Sequence, residues 1–482
     1  MVVDRRPCPG PLQGPAPARV SPQASLTGGR FLRTRRIRSV RGRDFAIGPC
    51  VGEDEMANGV FTISSVISLS AGALLAALAS GAAHAADAPK CGLGTGQAAD
   101  GRPILIGSVV GETGPDDFSA GADAARAYFK CVNANGGING RPIDFRVEDD
   151  QWSPETASQV ASKLVKDDKV VALVGNGSFV EMTVNAKLYE DENVAVVASA
   201  CAVRECFEAR NIASTNQGPV PSNILTAQWA IDNLGTKKVA CIALNIPSNG
   251  VWSCDQTDRW LADQGLEGVP VLFDPGSADL TAVLLEAVAT GADTMLVSLP
   301  ANLGVAFFKA AEEQGLRDQY NWIAPTPLYK EGVPEALGDY WDGKIYINAE
   351  LTPWDRDGPD AKRWREVMDA FARPEDPRDT FSQAGFVSAN ILVDTLMEMK
   401  PEEIDRDNVT KALKAVKNYR TDLLCSPWYF GEAASHQPNH AGVELVIKST
   451  GFEVVADCFE AKGGMFEDIL AMEKSQGMTG AN

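Results

Sequence analysis

Histidine is nearly missing from this chain: three residues in 482. Catalysis by an imidazole acting as acid or base therefore has little material to work with. Basic residues are scarce too. Residues 1–86 hold ten of the 44 Lys and Arg and five of the 64 Asp and Glu, leaving 34 basic against 59 acidic residues, a net charge of about −25, on the remainder. Such a surface repels phosphates and anionic membranes, which excludes nucleic acid as a partner. Three motifs are absent as well: Gly-x-x-x-x-Gly-Lys-Ser/Thr, Gly-x-Ser-x-Gly and His-Glu-x-x-His. Without a phosphate loop, a nucleophile elbow or a zinc-binding helix, kinase and hydrolase chemistry loses its usual anchors. Nothing implies a cofactor.

What is present begins with an unusual N-terminus. Residues 1–55 are Pro-rich and then Arg-rich, "RFLRTRRIRSVRGR", with no apolar period to pack, and are read as an extension outside the fold or upstream of the true start. Residues 56–86 carry an apolar run ending at Ala83-His84-Ala85. A run stopping at a small-residue A-x-A pattern is a secretory signal, cleaved near Ala85 or Ala86; the Ser and Gly within it argue against a membrane anchor. The expected location is periplasmic.

Export changes how cysteine reads. Cys91, Cys131, Cys201, Cys206, Cys241, Cys254, Cys425 and Cys458 all follow the cut, an even number in an oxidising compartment, so disulfides are the default. Connectivity is open; pairing nearest neighbours would staple local segments. A zinc site from Cys425, His436, His440 and Cys458 is the rival, but Pro438 breaks the helix that the two His would need. A disulfide beside a surface loop is the preferred reading, with no metal.

After Arg102 the pattern alternates. "PILIGSVV", "PIDFRVEDD", "VVALVG" and "VAVVASA" are strands, separated by amphipathic helices at "FSAGADAARAYFKCVNA", "PETASQVASKLVKDD" and "VEMTVNAKLYEDE". From Gln217 a second series runs in the same manner to "YNWIAP". Short apolar strands alternating with helices mean βαβ units and parallel sheets covered on both faces. The expected fold is α/β, with two doubly wound parallel-sheet lobes and a ligand in the cleft off the strand carboxyl ends. "GKIYINAEL" and two helices near 360–398 read as a return to the first lobe, and "CSPWYFGE", "GVELVIKS" and "FEVVADCFE" as short closing strands. That places lobe one at 102–216 and 345–415 and lobe two at 217–344 and 416–470. More than one crossing makes a hinge.

The glycine turn in "VALVGNGSFVEM" fails as a dinucleotide loop, because Val180 stands where a third glycine is needed and the next strand ends in Ser199 and Ala200 instead of an acid. "EDDQWSPE" reads as a helix start, with Asp150 or Ser153 as cap and Pro154 in the first turn, and with Gln151 or Trp152 near the cleft.

"GETGP" after the first strand, "VNANGGINGRPIDF", "EDDQWSP", "LVKDDKVVALVGNGS" and "YEDENVAVVASA" together resemble the type I periplasmic substrate-binding proteins of ABC importers, the branched-chain amino-acid receptor group. The likeness runs from 104 to about 458. It implies a monomeric, non-enzymatic receptor whose two lobes close on a small ligand and deliver it to a membrane permease. It also implies that the turns after the third and fourth strands hold a ligand carboxylate and its α-substituent, at Ser178 and Phe179 and at Ala200, Cys201 and Ala202, with Ser199 beside them in the candidate set. Glu112 and Thr113 of "GETGP", Trp152, and Asn249, Trp252, Thr326 and Tyr329 of the second lobe complete the candidate set.

Several positions depart from the family pattern. Thr326 stands where amino-acid-binding members carry an acid for the ligand ammonium, Phe179 replaces a Ser, Ala202 a Thr and Asn249 an aromatic. A buried ammonium without its partner costs several kcal/mol. An apolar or aromatic small acid suits these residues better, although Glu112 offers a substitute acid that would keep an amino acid in play. A sensor of the same fold acting on a signalling partner and an exported α/β enzyme are the alternative functions.

Overall fold

The computed structural model describes residues 89–274, 276, 279–431 and 435–479. The extension and the signal segment lie outside them. Two sheets organise the chain. The first contains β1 (Ile104–Val110), β2 (Ile143–Asp149), β3 (Ala172–Val174), β4 (Gly177–Ser178), β5 (Val196–Ala198), β6 (Ala200–Cys201) and β7 (Ile212–Ser214), all parallel. Their hydrogen-bonded path is β6-β4-β1-β3-β5-β7, and β2 pairs with β1 off this path. The second contains β8 (Lys238–Leu244), β9 (Glu267–Phe273), β10 (Thr294–Ser298), β11 (Asn321–Ala324), β12 (Ile345–Ala349), β13 (Ala441–Lys448) and β14 (Gly451–Glu460), in the order β14-β13-β12-β11-β10-β8-β9.

The period of two in these strands sends alternate side chains to opposite faces, and both faces are apolar. Ala240, Ile242 and Leu244 of β8 enter one core while Val239, Cys241 and Ala243 enter the other. In the first lobe Ala172 and Val174 face helices Ala120–Ala134 and Thr380–Glu398, whereas Leu173 faces helix Glu181–Asp191. Each lobe is thus a sheet between two helical layers. Helices Ala120–Ala134 and Thr380–Glu398 approach so closely that a Cβ on Gly385 would collide with the backbone of Gly121. That contact brings Phe381 beside Phe118, with ring centroids 5.9 Å apart.

The structure revises two readings of the C-terminal third. "GKIYINAEL" does not return to the first lobe: it forms β12, parallel to β11, where Ile345, Ile347 and Ala349 are buried in the second core and Asn348 is buried on the opposite face. "CSPWYFGE" forms no strand, only one bridge between Tyr419 and Trp428, and Trp428 and Phe430 pack into the first core with the indole N–H donating to Ser214 O at 2.7 Å. The crossings between lobes therefore fall at three places, around 215–218, 350–352 and 436–441, in place of boundaries at 345 and 416. β13 and β14 are antiparallel additions to an otherwise parallel sheet.

Side-chain amides tie the three crossings together. Gln217 donates from its backbone N–H to Glu350 Oε2 at 3.0 Å and from Nε2 to Ala441 O at 2.6 Å. Gln437 Nε2 donates to Gln217 O at 2.6 Å, and Asn439 Nδ2 to both Thr215 O and Glu350 O at 2.9 Å.

The cysteines Cys91–Cys131, Cys201–Cys206, Cys241–Cys254 and Cys425–Cys458 stand at disulfide distance, with Cα–Cα separations of 5.6, 6.0, 5.8 and 5.3 Å. These are the nearest-neighbour pairs. The two remaining histidines do not lie on a surface loop: both are buried, His436 with Nε2 2.6 Å from Ile212 O and His440 with Nε2 3.0 Å from a Glu473 carboxylate oxygen. Among the described residues no helix is long and apolar enough to cross a membrane.

Candidate functional site

A cavity lies between the lobes against the hinge. The first lobe contributes an aromatic floor. Phe118 precedes helix Ala120–Ala134, Phe179 follows β4, and Phe381 opens helix Thr380–Glu398; Phe118 lies 5.1 Å from Phe179, centroid to centroid. Ala200, Cys201 and Ala202 continue this wall. The second lobe contributes Asn249, Ser298 to Pro300 and Pro325 to Pro327, and the hinge contributes Asn216, Gly218, Pro219, Ser222 and Glu350.

Four helices begin in this wall: Glu181–Asp191 behind Phe179, Pro219–Leu234 behind Gly218, Ala301–Glu313 behind Pro300, and Thr380–Glu398 at Phe381. Ser178 and Asp379 cap the first and last of these, while Pro219–Leu234 and Ala301–Glu313 have no side-chain cap and bring positive potential to a cavity that, among the described residues, no Lys or Arg lines. Most polar side chains in the wall are already committed. Thr326 Oγ1 donates to Asn348 O at 2.9 Å and its N–H to Ser222 Oγ at 3.0 Å. Asn216 brackets Cys201, accepting from its N–H at 2.9 Å and donating to its O at 3.2 Å. Asn249 Nδ2 donates to Ala202 O at 2.5 Å across the interlobe gap. Glu350 is fully buried, and burial pushes its carboxyl up to about 8 against the pull of Gln217 N–H, the Asn216 amide and Gly218 N–H.

The lobes touch at the rim. Arg204 N–H donates to Ser248 O at 2.8 Å, Thr183 Oγ1 and Ser248 Oγ lie 3.2 Å apart, and Lys330 Nζ sits 3.3 Å from Asp116 Oδ1. The cleft is closed.

Of the candidate residues, Phe179, Ala200, Cys201, Ala202, Asn249 and Thr326 line the cavity. The others do not, each for an identifiable reason. Ser178 is turned inward: its hydroxyl donates to the buried Asp150 carboxylate and accepts the N–H groups of Val180 and Glu181 at 3.0 and 3.1 Å, capping the helix behind the turn. Ser199 Oγ donates to Gly175 O and Asn176 O. Glu112 is exposed, and its N–H, with the Thr113 hydroxyl, is held by Asp149, so it offers the cavity no acid. Tyr329 stacks on Trp354 at 4.0 Å in a separate groove, and Trp252 meets Phe207 of the first lobe at 6.0 Å on the seam.

Trp152 supports the floor from behind. Its ring stacks on Phe179 at 4.9 Å and 11°, while its indole N–H donates to Asp116 O at 3.0 Å. To do so the backbone takes φ +55°, a costly conformation for a large residue. The helix that follows starts as its sequence suggests, with Ser153 accepting from Thr156 N–H at 3.2 Å and Pro154 in the first turn. Sequence reasoning missed Phe118, Phe381, Ser222 and Glu350. Phe381 alone carried a signal, lying two residues after Asp379 at a helix start.

A family profile described as Periplasmic binding protein matches residues 103–451. The chain belongs to this family, a binding-protein fold of two α/β lobes. An "Amino acid binding protein" of Pseudomonas aeruginosa is 26% identical over 261 residues, covering 48% of this chain and 68% of that one. The "Leu/Ile/Val-binding protein homolog 1" of Brucella suis is 25% identical over 340 residues, covering 66% and 84%. Among solved structures, a solute binding protein of an ABC transporter from Rhodopseudomonas palustris BisB5, in complex with 3,4-dihydroxy benzoic acid, aligns with a TM-score of 0.62 at 20% identity, covering 76% of this chain and 99% of that one.

Proposed function

We propose that this protein is the extracytoplasmic solute receptor of an ABC importer and that it closes on a small acid with an apolar or aromatic body. The observation that carries the reading is the cavity itself: an aromatic floor of Phe118, Phe179 and Phe381, no Lys or Arg in the wall among the described residues, and two helix N-termini without a side-chain cap, at Pro219 and Ala301, beside it. Flat apolar walls favour a ring or short hydrocarbon, and dipole ends favour a carboxylate. Thr326 has both its N–H and its hydroxyl engaged, so the second lobe brings no acid to a ligand ammonium. The dihydroxybenzoate complex of the Rhodopseudomonas palustris relative supports this class, and the amino-acid-binding relatives define its competitor. Closure about the three-segment hinge is the working motion.

A thermal-shift screen tests this on protein stripped of co-purified ligand by unfolding and refolding, against amino acids, aromatic acids, aliphatic acids, amides and sugars. A ligand at a thousandfold excess over its Kd adds about 4 kcal/mol of stability. A large shift with aromatic or aliphatic acids and none with amino acids is expected. A shift with amino acids alone would overturn the ligand class, and no shift with any small molecule would overturn the receptor reading.

A further inference from the structure

Among the described residues Glu350 is the one acid in the cavity wall, and it is in an unusual position for one. It follows β12 where the chain crosses the hinge, and 1% of its surface is exposed. Oε2 accepts the Gln217 N–H from the neighbouring crossing; the Asn216 amide and Gly218 N–H lie near enough to pull on the carboxyl, but Oε1, equally buried, completes no hydrogen bond of ordinary geometry. Burying a carboxyl oxygen without a partner is expensive unless something else arrives to meet it. The groups around it are neutral: Asn216, Gln217 and Gly218 from the hinge, and Ser222, Thr326 and Phe381 across the cavity wall. No charged side chain contributes to its ionisation, so nothing in the protein repays the cost of an anion there.

We propose, resting on the small-acid reading above, that Glu350 is a specificity-determining ligand contact that stays protonated and donates a hydrogen bond from Oε1 to a carboxylate oxygen of the bound acid. A carboxylic acid facing a carboxylate shares one proton between two oxygens, a charge-assisted bond stronger than a neutral one. An ionised Glu350 would instead repel the same ligand. The residue thereby reads ligand charge: an acid binds with the proton in place, whereas an ammonium-bearing ligand would require the proton to leave. Because Oε2 is tied to Gln217, the contact also joins the ligand to two of the three crossings.

Benzoate and leucine, titrated calorimetrically into the ligand-free protein and its Glu350→Gln variant, separate the possibilities. For the wild type the benzoate Kd should be nearly flat from pH ~6 to ~7.5 and then rise toward about tenfold per pH unit above ~8, as the site must first take up a proton. Glu350→Gln keeps both an acceptor for Gln217 and an N–H donor, so it should bind benzoate with a profile flat to pH ~9.5. Titrations near pH ~8.5 in buffers of different ionisation enthalpy should show uptake of close to one proton by the wild type, a measurement that stands even if the variant does not fold. A wild-type Kd that is flat, or that falls as pH rises, overturns the inference, as does an unchanged steep profile in Glu350→Gln. Leucine binding that tightens toward pH ~8 with proton release makes Glu350 an ionised ammonium partner, which also overturns it while leaving the receptor intact. If neither compound binds at any pH, the small-acid reading fails and the inference fails with it.

Discussion

Lys330 of the second lobe reaches across the mouth of the cleft to Asp116 of the first, with Nζ 3.3 Å from Oδ1. Asp116 is itself anchored, since its backbone oxygen receives the indole N–H of Trp152, whose ring supports Phe179 in the cavity floor. The rim ion pair and the ligand surface thus share one supporting residue. Replacing Lys330 with Met should speed ligand release and raise Kd about two- to fivefold, the value of a partly exposed pair of about 0.5–1 kcal/mol. Stopped-flow dissociation at low and high salt checks it: wild-type release should accelerate with salt and the variant should not respond.

Ser178→Ala should cost stability. The hydroxyl caps helix Glu181–Asp191 and supplies a hydrogen bond to the buried Asp150, so its loss removes a cap and leaves a carboxyl oxygen short of a partner. A loss of about 1–3 kcal/mol in denaturant unfolding is expected. A stability equal to wild type would show that the hydroxyl does not serve as this cap.

Glu181 lies buried beneath the first lobe's sheet, its Oε1 receiving the Tyr189 hydroxyl, and burial pushes its carboxyl from an ordinary 4.5 up to about 8. Below the lower value both folded and unfolded chains hold the proton. Between the two values the folded protein keeps a proton that the unfolded chain releases, so stability falls as pH rises through this window and levels off above it. Glu181→Gln should flatten part of that decline, gaining on the order of 1–4 kcal/mol at pH ~8 relative to its effect at pH ~4.5. Melting temperatures of both proteins across the window provide the test.

Cys425 and Cys458 join the stretch before the third crossing to the outermost strand β14, 33 residues on. Replacing both with Ser should lower stability by about 2–4 kcal/mol. Alkylation of the unreduced, denatured protein should label none of the eight cysteines between 91 and 458. Labelling of Cys425 in the native preparation would remove this staple.

The alternation of strand and helix was legible because each apolar run was too short for a helix and each intervening segment long enough for one. The two turns that face the cavity were legible as Phe179 and Ala200 to Ala202, since they follow strand ends in a parallel sheet. Direction was not legible. Ser178 and Phe179 are adjacent, yet one points to Asp150 and the other to the cleft, and which of the two faces the ligand depends on the placement of β4 and not on residue type. Tyr329 was near enough in sequence to Thr326 to suggest the cleft, but Trp354 offers it a parallel ring. Glu350 could not have been found at all, because "INAELTPW" reads as an acid at a strand end until β12 is placed in the second sheet and the crossings are brought together.

The crossings themselves are held by Gln217, Gln437 and Asn439, and by Glu350 through its carboxyl and its backbone oxygen. An amide neither titrates nor gathers counter-ions, so the axis of closure keeps its stiffness in dilute or saline surroundings. The groups that respond to the medium are the charged clasp at the mouth and the Glu350 carboxyl on the axis itself. A change of pH or salt then acts on the clasp and on that one carboxyl, while the amide bonds that join the crossings stay as they are.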